Sequence, residues 1–456
     1  MLFSKTHWKF ALLNLWRNPR RTLVTGLAIG GGFMGLCIFE GYIYRTTEHL
    51  TNSTIHSEFT GHFGFYKKNA IENLLTKPKK YSLSPAEQEL IRSEIREFEP
   101  QIDLIVPLFR GLGLISNSCK SEPFLIRGID PESKTKIYKN ENFKKHCPYL
   151  AKTFRGEDIN IDLKNESAPI TLTANLSQLM HKKVLYKERV ENSLKNVSLD
   201  CDNPDYKKSI EEDPSVQLMV KSFDGNPWAL EANVVGLHFE TLAFNEDLGI
   251  VAPLKKVQEL YQSENVSSIH IFLKNISDLK FWKQDFKKKF EQKYPTLEVL
   301  FYDESRVNPF YVGIKSFMSF ILLFYLVVIG TVITISVINS MTICLIERSF
   351  EIGTLRALGY KRSSIAGLFV IENFLLSCFS LVLGSLGAKI IGNQINRAHI
   401  LFKPAGAPTE LQLVIEPTLS FEIILSFIII FVVLLITYFL TLKETRKNIV
   451  NLLIND

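Results

Sequence analysis

Residues 23–44 read LVTGLAIGGGFMGLCIFEGYIY. A bilayer core of about 30 Å is crossed by roughly 20 helical residues, so this run is long enough to span. Three more runs qualify, at 317–346, 365–391 and 421–442. Between the first and the second lies a long polar stretch, 46–310. The chain has 456 residues, 46% hydrophobic and 22% charged, and its mean hydropathy of +0.08 is a sum over two unlike materials. The pattern predicts an α-helical membrane domain of four transmembrane helices plus a large α+β extracytoplasmic domain inserted between helices 1 and 2. Low-complexity disorder is excluded, because 33 Phe and 15 Tyr are too many for a chain that buries no core. Six cysteines are too few for a disulfide-stapled scaffold.

Charge divides the same way. Residues 46–310 hold 36 Lys+Arg and 38 Asp+Glu, a net of −2, while the remainder holds 17 and 9, a net of +8. Nucleic-acid binding would concentrate basic charge on the polar domain, so no nucleic-acid partner is expected. Basic residues flank the spans at Lys5, Lys9, Arg17, Arg20 and Arg21, at Arg348, Arg356, Lys361 and Arg362, and at Lys443, Arg446 and Lys447. With four spans these three places share one side, which the positive-inside rule makes cytoplasmic. Both termini are then cytoplasmic, and the large domain and the short outer loop 392–420 lie outside. A cleaved signal peptide fits the first run poorly, since the run is long and no A-x-A site follows it.

Within 46–310, strands are expected at 62–66, 102–109, 123–129, 216–220, 232–239, 267–273 and 297–302. Ser84-Pro85-Ala86-Glu87 has a capping-box pattern with Pro at the first helical position. A second helix, 278–293, carries Trp282, Phe286 and Phe290 on one face and Lys283, Lys287, Lys288 and Lys289 elsewhere, so 267–302 reads as a βαβ-type unit. Residues 131–214 are polar and weakly periodic and read as an inserted subdomain or a long excursion within the α+β body. Cys119, Cys147 and Cys201 leave one disulfide possible, its pairing open. No P-loop, H-E-x-x-H, C-x-x-C or G-x-S-x-G occurs, so the sequence offers no catalytic residue, no metal site and no nucleotide site of its own.

The segment 347–362 joins the second and third spans. It reads ERSFEIGTLRALGYKR, with Ile352, Leu355 and Leu358 at helical spacing and Gly359 breaking the helix. Such a helix either lies on the membrane interface or presses into a groove on a cytoplasmic partner. The motif E-R-x-x-E-I-G-T-L-R-A-L-G-Y, with Glu372 in the following span, resembles the signature of FtsX-like ABC-transporter permeases, the group of MacB-like and Lol-type permeases. Asn14-Leu15-Trp16-Arg17-Asn18-Pro19, Gly61-His62-Phe63, Arg127-Gly128-Ile129-Asp130-Pro131, Val234-Val235-Gly236 and Pro404-Ala405-Gly406-Ala407-Pro408 resemble further pieces of the family. The tail 443–456 departs from the Ala- and Pro-rich basic ending common there.

The resemblance implies a permease subunit of mechanotransmission type in a bacterial cytoplasmic (inner) membrane. ATP and Mg would be held by a separate cytoplasmic ATPase dimer, with nothing bound by this chain directly. A second permease chain, identical or paralogous, would complete the assembly among membrane lipids. The substrate would be a lipoprotein, lipid or other amphiphile handled on the outer side. The alternative is a regulator that signals to an outside enzyme such as a cell-wall hydrolase and moves no substrate. Glu347, Arg348, Glu351, Leu355, Arg356 and Leu358 would face the ATPase or brace the elbow.

Other features stand on composition alone. Glu40, Glu372, Lys389 and Glu422 are ionisable groups in or at the edge of spans. Glu40, Lys389 and Glu422, near helix ends, are expected to snorkel, and Glu372 to pair within protein. Gly26, Gly30, Gly31, Gly35, Gly384 and Gly387 permit close helix approach, within one subunit or between two. The second run, about 45 Å at helical rise, exceeds the hydrocarbon thickness. Residues 1–22 read as an interfacial helix on the cytoplasmic leaflet.

Overall fold

The computed structural model describes residues 19–148, 150–153, 155–161, 167–182, 185, 201–238, 248–402 and 411–447. The expected interfacial helix (except its last residues), the Pro404–Pro408 loop and the end of the tail lie outside the described residues. The chain forms two compact units, one from the described parts of Met1–Thr47, Lys315–Phe402 and Leu411–Asp456, the other from Glu48–Ile314.

Four helices are long and apolar enough to cross a membrane: α1 (Pro19–Asn52), α5 (Pro309–Glu347), α7 (Arg362–Arg397) and α8 (Leu419–Glu444). Ile29, Phe33 and Leu36 of α1 pack with Ile333, Val337 and Met341 of α5, Leu381 and Ala388 of α7, and Leu425, Ile429 and Val433 of α8. The outward faces keep Phe320, Phe324, Phe379, Phe427 and Phe431 exposed, as lipid-facing residues would be. At 39 residues, α5 is about 58 Å long.

The α1–α7 crossing depends on missing side chains. A Cβ on Gly384 would lie 2.6 Å from the Gly30 carbonyl oxygen, and one on Gly30 would lie 2.8 Å from that of Ser380. Gly26 faces Ser380, Gly35 faces the Tyr325 hydroxyl, and Gly387 faces Met34. These five therefore serve packing inside one chain, while a Cβ on Gly31 meets nothing within 4 Å. Gly384→Val should cost the membrane unit about 1–3 kcal/mol through overpacking, and Gly31→Ala should change it by less than about 0.5 kcal/mol. Unfolding in a detergent titration measures both.

The second unit is built on one mixed sheet. In chain order its strands are β1 (Phe63–Lys67), β2 (Ile102–Ser116), β3 (Ser121–Ile129), β4 (Arg155–Gly156), β5 (Ala168–Thr173), β6 (Ser215–Lys221), β7 (Pro227–His238), β8 (Gly249–Pro253), β9 (Ser268–Leu273) and β10 (Leu297–Phe301). They lie in the order β10-β1-β9-β2-β3-β8-β5-β7-β4, with β6 pairing β2 and β7. Pairs β3/β8 and β5/β7 are parallel. The unit 267–302 is a split βαβ, because β1 enters antiparallel between β9 and β10.

Helix α2 (Pro85–Ile95) starts in the full capping box, with the Ser84 backbone donating to Glu87 at 2.8 Å. Trp282, Phe286 and Phe290 bury against Phe63, Phe65 and Phe301, and Lys283 and Lys287 pair with Asp303 and Glu304. That helical segment changes pitch at Trp282–Phe286 before α4 (Lys287–Lys293). A second core forms around Phe109, Ile126, Ile170, Leu172, Val234 and helix α3 (Leu254–Tyr261).

The described residues of 131–214 include β4 and the wholly buried β5, both of which join the common sheet. The short apolar stretch Ala168–Thr173 is masked by polar sequence on both sides. Strand β2 runs on to Ser116 rather than stopping at Phe109. Gly111 and Gly113 interrupt its alternation because a Cβ there would lie 2.3 Å from the Tyr261 hydroxyl and 2.6 Å from the Met219 carbonyl. The disulfide left open by the sequence is Cys119–Cys201, and Cys147 lies outside it, a buried thiol within hydrogen-bond reach of His49.

Candidate functional site

Between α5 and α7 the chain turns through α6 (Ser349–Ala357). Its polar residues hold it from both sides. Arg348 donates from Nε to Glu351 at 2.7 Å and from Nη1 to Glu372 of α7 at 2.9 Å. Its guanidinium also lies 4.7 Å from the centre of the Phe369 ring. Burial alone would lower the Arg348 pKa, but the Glu351 hydrogen bond and the Glu372 charge raise it above its ordinary value. Arg356 donates to the Thr445 carbonyl at 2.5 Å, satisfying a carbonyl at the end of α8 that the helix leaves open.

The C-terminus of α6 is fixed as firmly. Gly359 has φ +89°, its N–H reaches the Arg356 carbonyl, and Tyr360 N–H reaches the Leu355 carbonyl. This is a Schellman ending, and its left-handed residue is glycine for steric reasons.

The sequence-predicted residues divide by face. Ile352 is buried and Leu355 packs partly against the membrane core, so Leu355 looks inward. Arg348, Glu351 and Arg356 brace. Glu347, the last residue of α5, is exposed. Leu358 leaves the expected Ile352–Leu355 stripe: it sits past the last helical turn and is 72% exposed. Phe350, 63% exposed, and Thr354 share its side of the helix at i and i+4, and Tyr360 is also exposed. Phe350 was missed because periodicity marks the inner face, whereas this face shows itself as an aromatic out of step with it.

Residues 318–449 match the family model of the FtsX-like permease C-terminal domain. This part of the chain is an FtsX-like permease domain. No curated protein sequence matches the chain. Two solved structures similar to it are the periplasmic region of MacB from Actinobacillus actinomycetemcomitans and the extracellular domain of the noncanonic ABC-type transporter YknZ from Gram-positive bacteria. The first is 10% identical with TM-score 0.30, covering 53% of this chain and 88% of that one. The second is 8% identical with TM-score 0.28, covering 52% and 98%.

The matched stretch contains the whole elbow, and the remaining polar residues of the FtsX-like permease domain and α1 tie its helices together. Glu40 accepts from the Thr418 N–H at 3.1 Å and hydroxyl at 2.7 Å. It thereby caps α8 from another helix. Glu422 accepts from Ser385 at 2.8 Å and pairs with Lys389 at 3.4 Å. Glu40 and Glu422 are buried, so the snorkelling expected of them is corrected. A carboxylate side chain is short, and each here finds donors on a neighbouring helix. Lys389 stays half-exposed. Thr25 of α1 meets Ser340 of α5 at 2.5 Å.

Proposed function

We propose that the chain is the membrane subunit of an ATP-driven transporter of mechanotransmission type. The observation that carries this reading is α6: its inner side is tied to α7 and α8, while Phe350, Thr354 and Leu358 face outward. An apolar face on a braced helix suits insertion into a partner's groove, and the bracing would pass a push into the membrane helices instead of absorbing it locally. The partner is a dimer of separate ATPase subunits that hold ATP and Mg. A second permease chain completes the assembly.

The basic flanks favour α6 on the cytoplasmic side and the sheet-based unit on the outer side of the inner membrane. The Cys119–Cys201 disulfide supports an oxidising compartment for that unit. The substrate is an amphiphile, such as a lipid or a lipoprotein, met from the outer side.

Phe350→Asp with Leu358→Asp should abolish stimulation of the co-expressed ATPase and weaken its binding about 30-fold, as loss of interface anchors does. Both side chains are solvent-facing, so the thermal midpoint of the permease should not move. Wild-type stimulation by the double variant would remove the basis of this reading.

A further inference from the structure

The sheet-based unit carries a groove of about 540 Å³, within the size range of small-molecule sites. Its floor includes Phe109, Phe223 and Tyr261, with the Phe109 ring 4.8 Å from Tyr261 and 5.9 Å from Phe223. Leu75 and Leu112 stand exposed at its edges. Lys77, Lys80 and Lys221 line the rim and enter no ion pair among the described residues. Lys79 reaches Asp224 at 2.9 Å, and Asp224 is the single acid in the lining among the described residues. An apolar floor under an excess of lysine selects a ligand with an apolar body and an anionic head.

The backbone argues against a peptide. The N–H groups of Thr76, Lys77, Lys80, Ser222, Phe223 and Gly225 are all bonded within the chain. At the groove, β2 is paired to β3 through Gly111 and Leu112, and β6 to β7 through Lys221. On its other edge β2 is unpaired between its last β9 partner, Leu108, and its first β6 partner, Leu114. There Arg110 already exchanges both backbone bonds with the Ser267 hydroxyl and the Leu112 carbonyl accepts the Tyr261 hydroxyl, so a bound peptide would find too few partners for its own amides. A hydrocarbon chain has none to pair.

We propose that this groove binds an anionic amphiphile, its chain on the aromatic floor and its carboxylate or phosphate head on Lys77, Lys80 and Lys221. This rests on the reading of the chain as an amphiphile transporter and names where the outer unit takes its substrate.

The test uses the full chain in phosphatidylcholine nanodiscs. Three photoreactive probes are compared: a palmitic acid, a lysophosphatidylglycerol and a neutral monopalmitoylglycerol, with cross-links mapped by mass spectrometry. At least one anionic probe should label peptides containing 74–80 and 221–225, and the better of the two identifies the head as carboxylate or phosphate. The triple variant Lys77→Gln, Lys80→Gln, Lys221→Gln should lower that labelling about tenfold, the scale expected from several exposed charge pairs, and bring it to the neutral probe's level. Trp282 emission checks that the variant is folded. Labelling confined to the membrane helices, equal labelling by the neutral probe, or an unaffected triple variant overturns the proposal. ATPase stimulation, measured on the same samples, separates the two readings. Stimulation without groove labelling defeats the groove alone. Groove labelling without stimulation defeats the transporter reading and leaves a lipid site.

Discussion

Arg348→Ala should destabilise the membrane unit by about 3–5 kcal/mol, the usual cost of removing one partner from a buried ion pair. The Glu372 side chain is only 4% exposed and that of Arg348 15%, so neither charge is well hydrated once the other is gone. The Glu351 side chain is 37% exposed, and Glu351→Ala should cost no more than about 1 kcal/mol. Arg348→Met combined with Glu372→Met should recover most of the loss, because apolar replacements of a buried pair remove the desolvation cost with the attraction. Detergent-titration unfolding of the three variants ranks them. The order matters for mechanism, since the double variant restores stability without restoring the link from α6 to α7. Its ATPase stimulation should therefore stay low while its midpoint recovers. Full stimulation in the double variant would show that Arg348 only stabilises.

Acid should unfold the sheet-based unit well above the carboxylate range. Burial holds the His62 pKa down at about 4, helped by the neighbouring His56. Burial also holds His270 down at about 3, with Arg110 adding to it, and His238 at about 3, with Lys134 and Arg127 adding. His62 Nδ1 accepts the Leu273 N–H at 3.0 Å, a bond that only the neutral ring can accept. All three are depressed below the unfolded value of about 6.5, so above pH 6.5 they are neutral in both states and contribute no pH dependence. As pH falls from 6.5 towards 4, the unfolded chain takes up protons that the folded chain refuses. Each histidine then costs about 1.4 kcal/mol per pH unit. At pH 5 the three together cost about 6 kcal/mol, a large share of a domain's usual stability. Glu58, whose pKa burial raises despite Arg127 and Arg110, works in the opposite direction and softens the loss.

Trp282, fully buried, reports the transition through its emission. His270→Gln, which cannot take a proton, should shift the acid midpoint downward. A midpoint below pH 4 that no histidine substitution moves would refute the assignment.

The membrane helices were legible because lipid imposes one strong requirement, about 20 apolar residues in sequence. Their ends were not, because Arg45 to Asn52 continue α1 as polar helix after the apolar run stops. The elbow was legible as a motif, whereas its geometry lay in partners distant along the chain: Arg348 with Glu372, Arg356 with Thr445, Glu40 with Thr418. No local period reports such pairs. The same limit hid β5, whose neighbours β7 and β8 come some 60 to 80 residues later. The choice of Cys201 over Cys147 as partner of Cys119 belongs with these, being fixed by where the fold brings the chain.

Strand β1 pairs directly with β10, Phe63 opposite Phe301, so the first strand and the last begin and end at one place. Thr51 and Tyr311, just outside them along the chain, meet at 3.0 Å through their hydroxyls. The polypeptide thus enters and leaves this unit through a doorway about 5 Å wide, one interstrand spacing. A body closed in that manner is an exchangeable cassette: another with equally close ends could be spliced between α1 and α5 without altering the four helices or their elbow. Evolution can then exchange this body while the four helices are inherited unchanged.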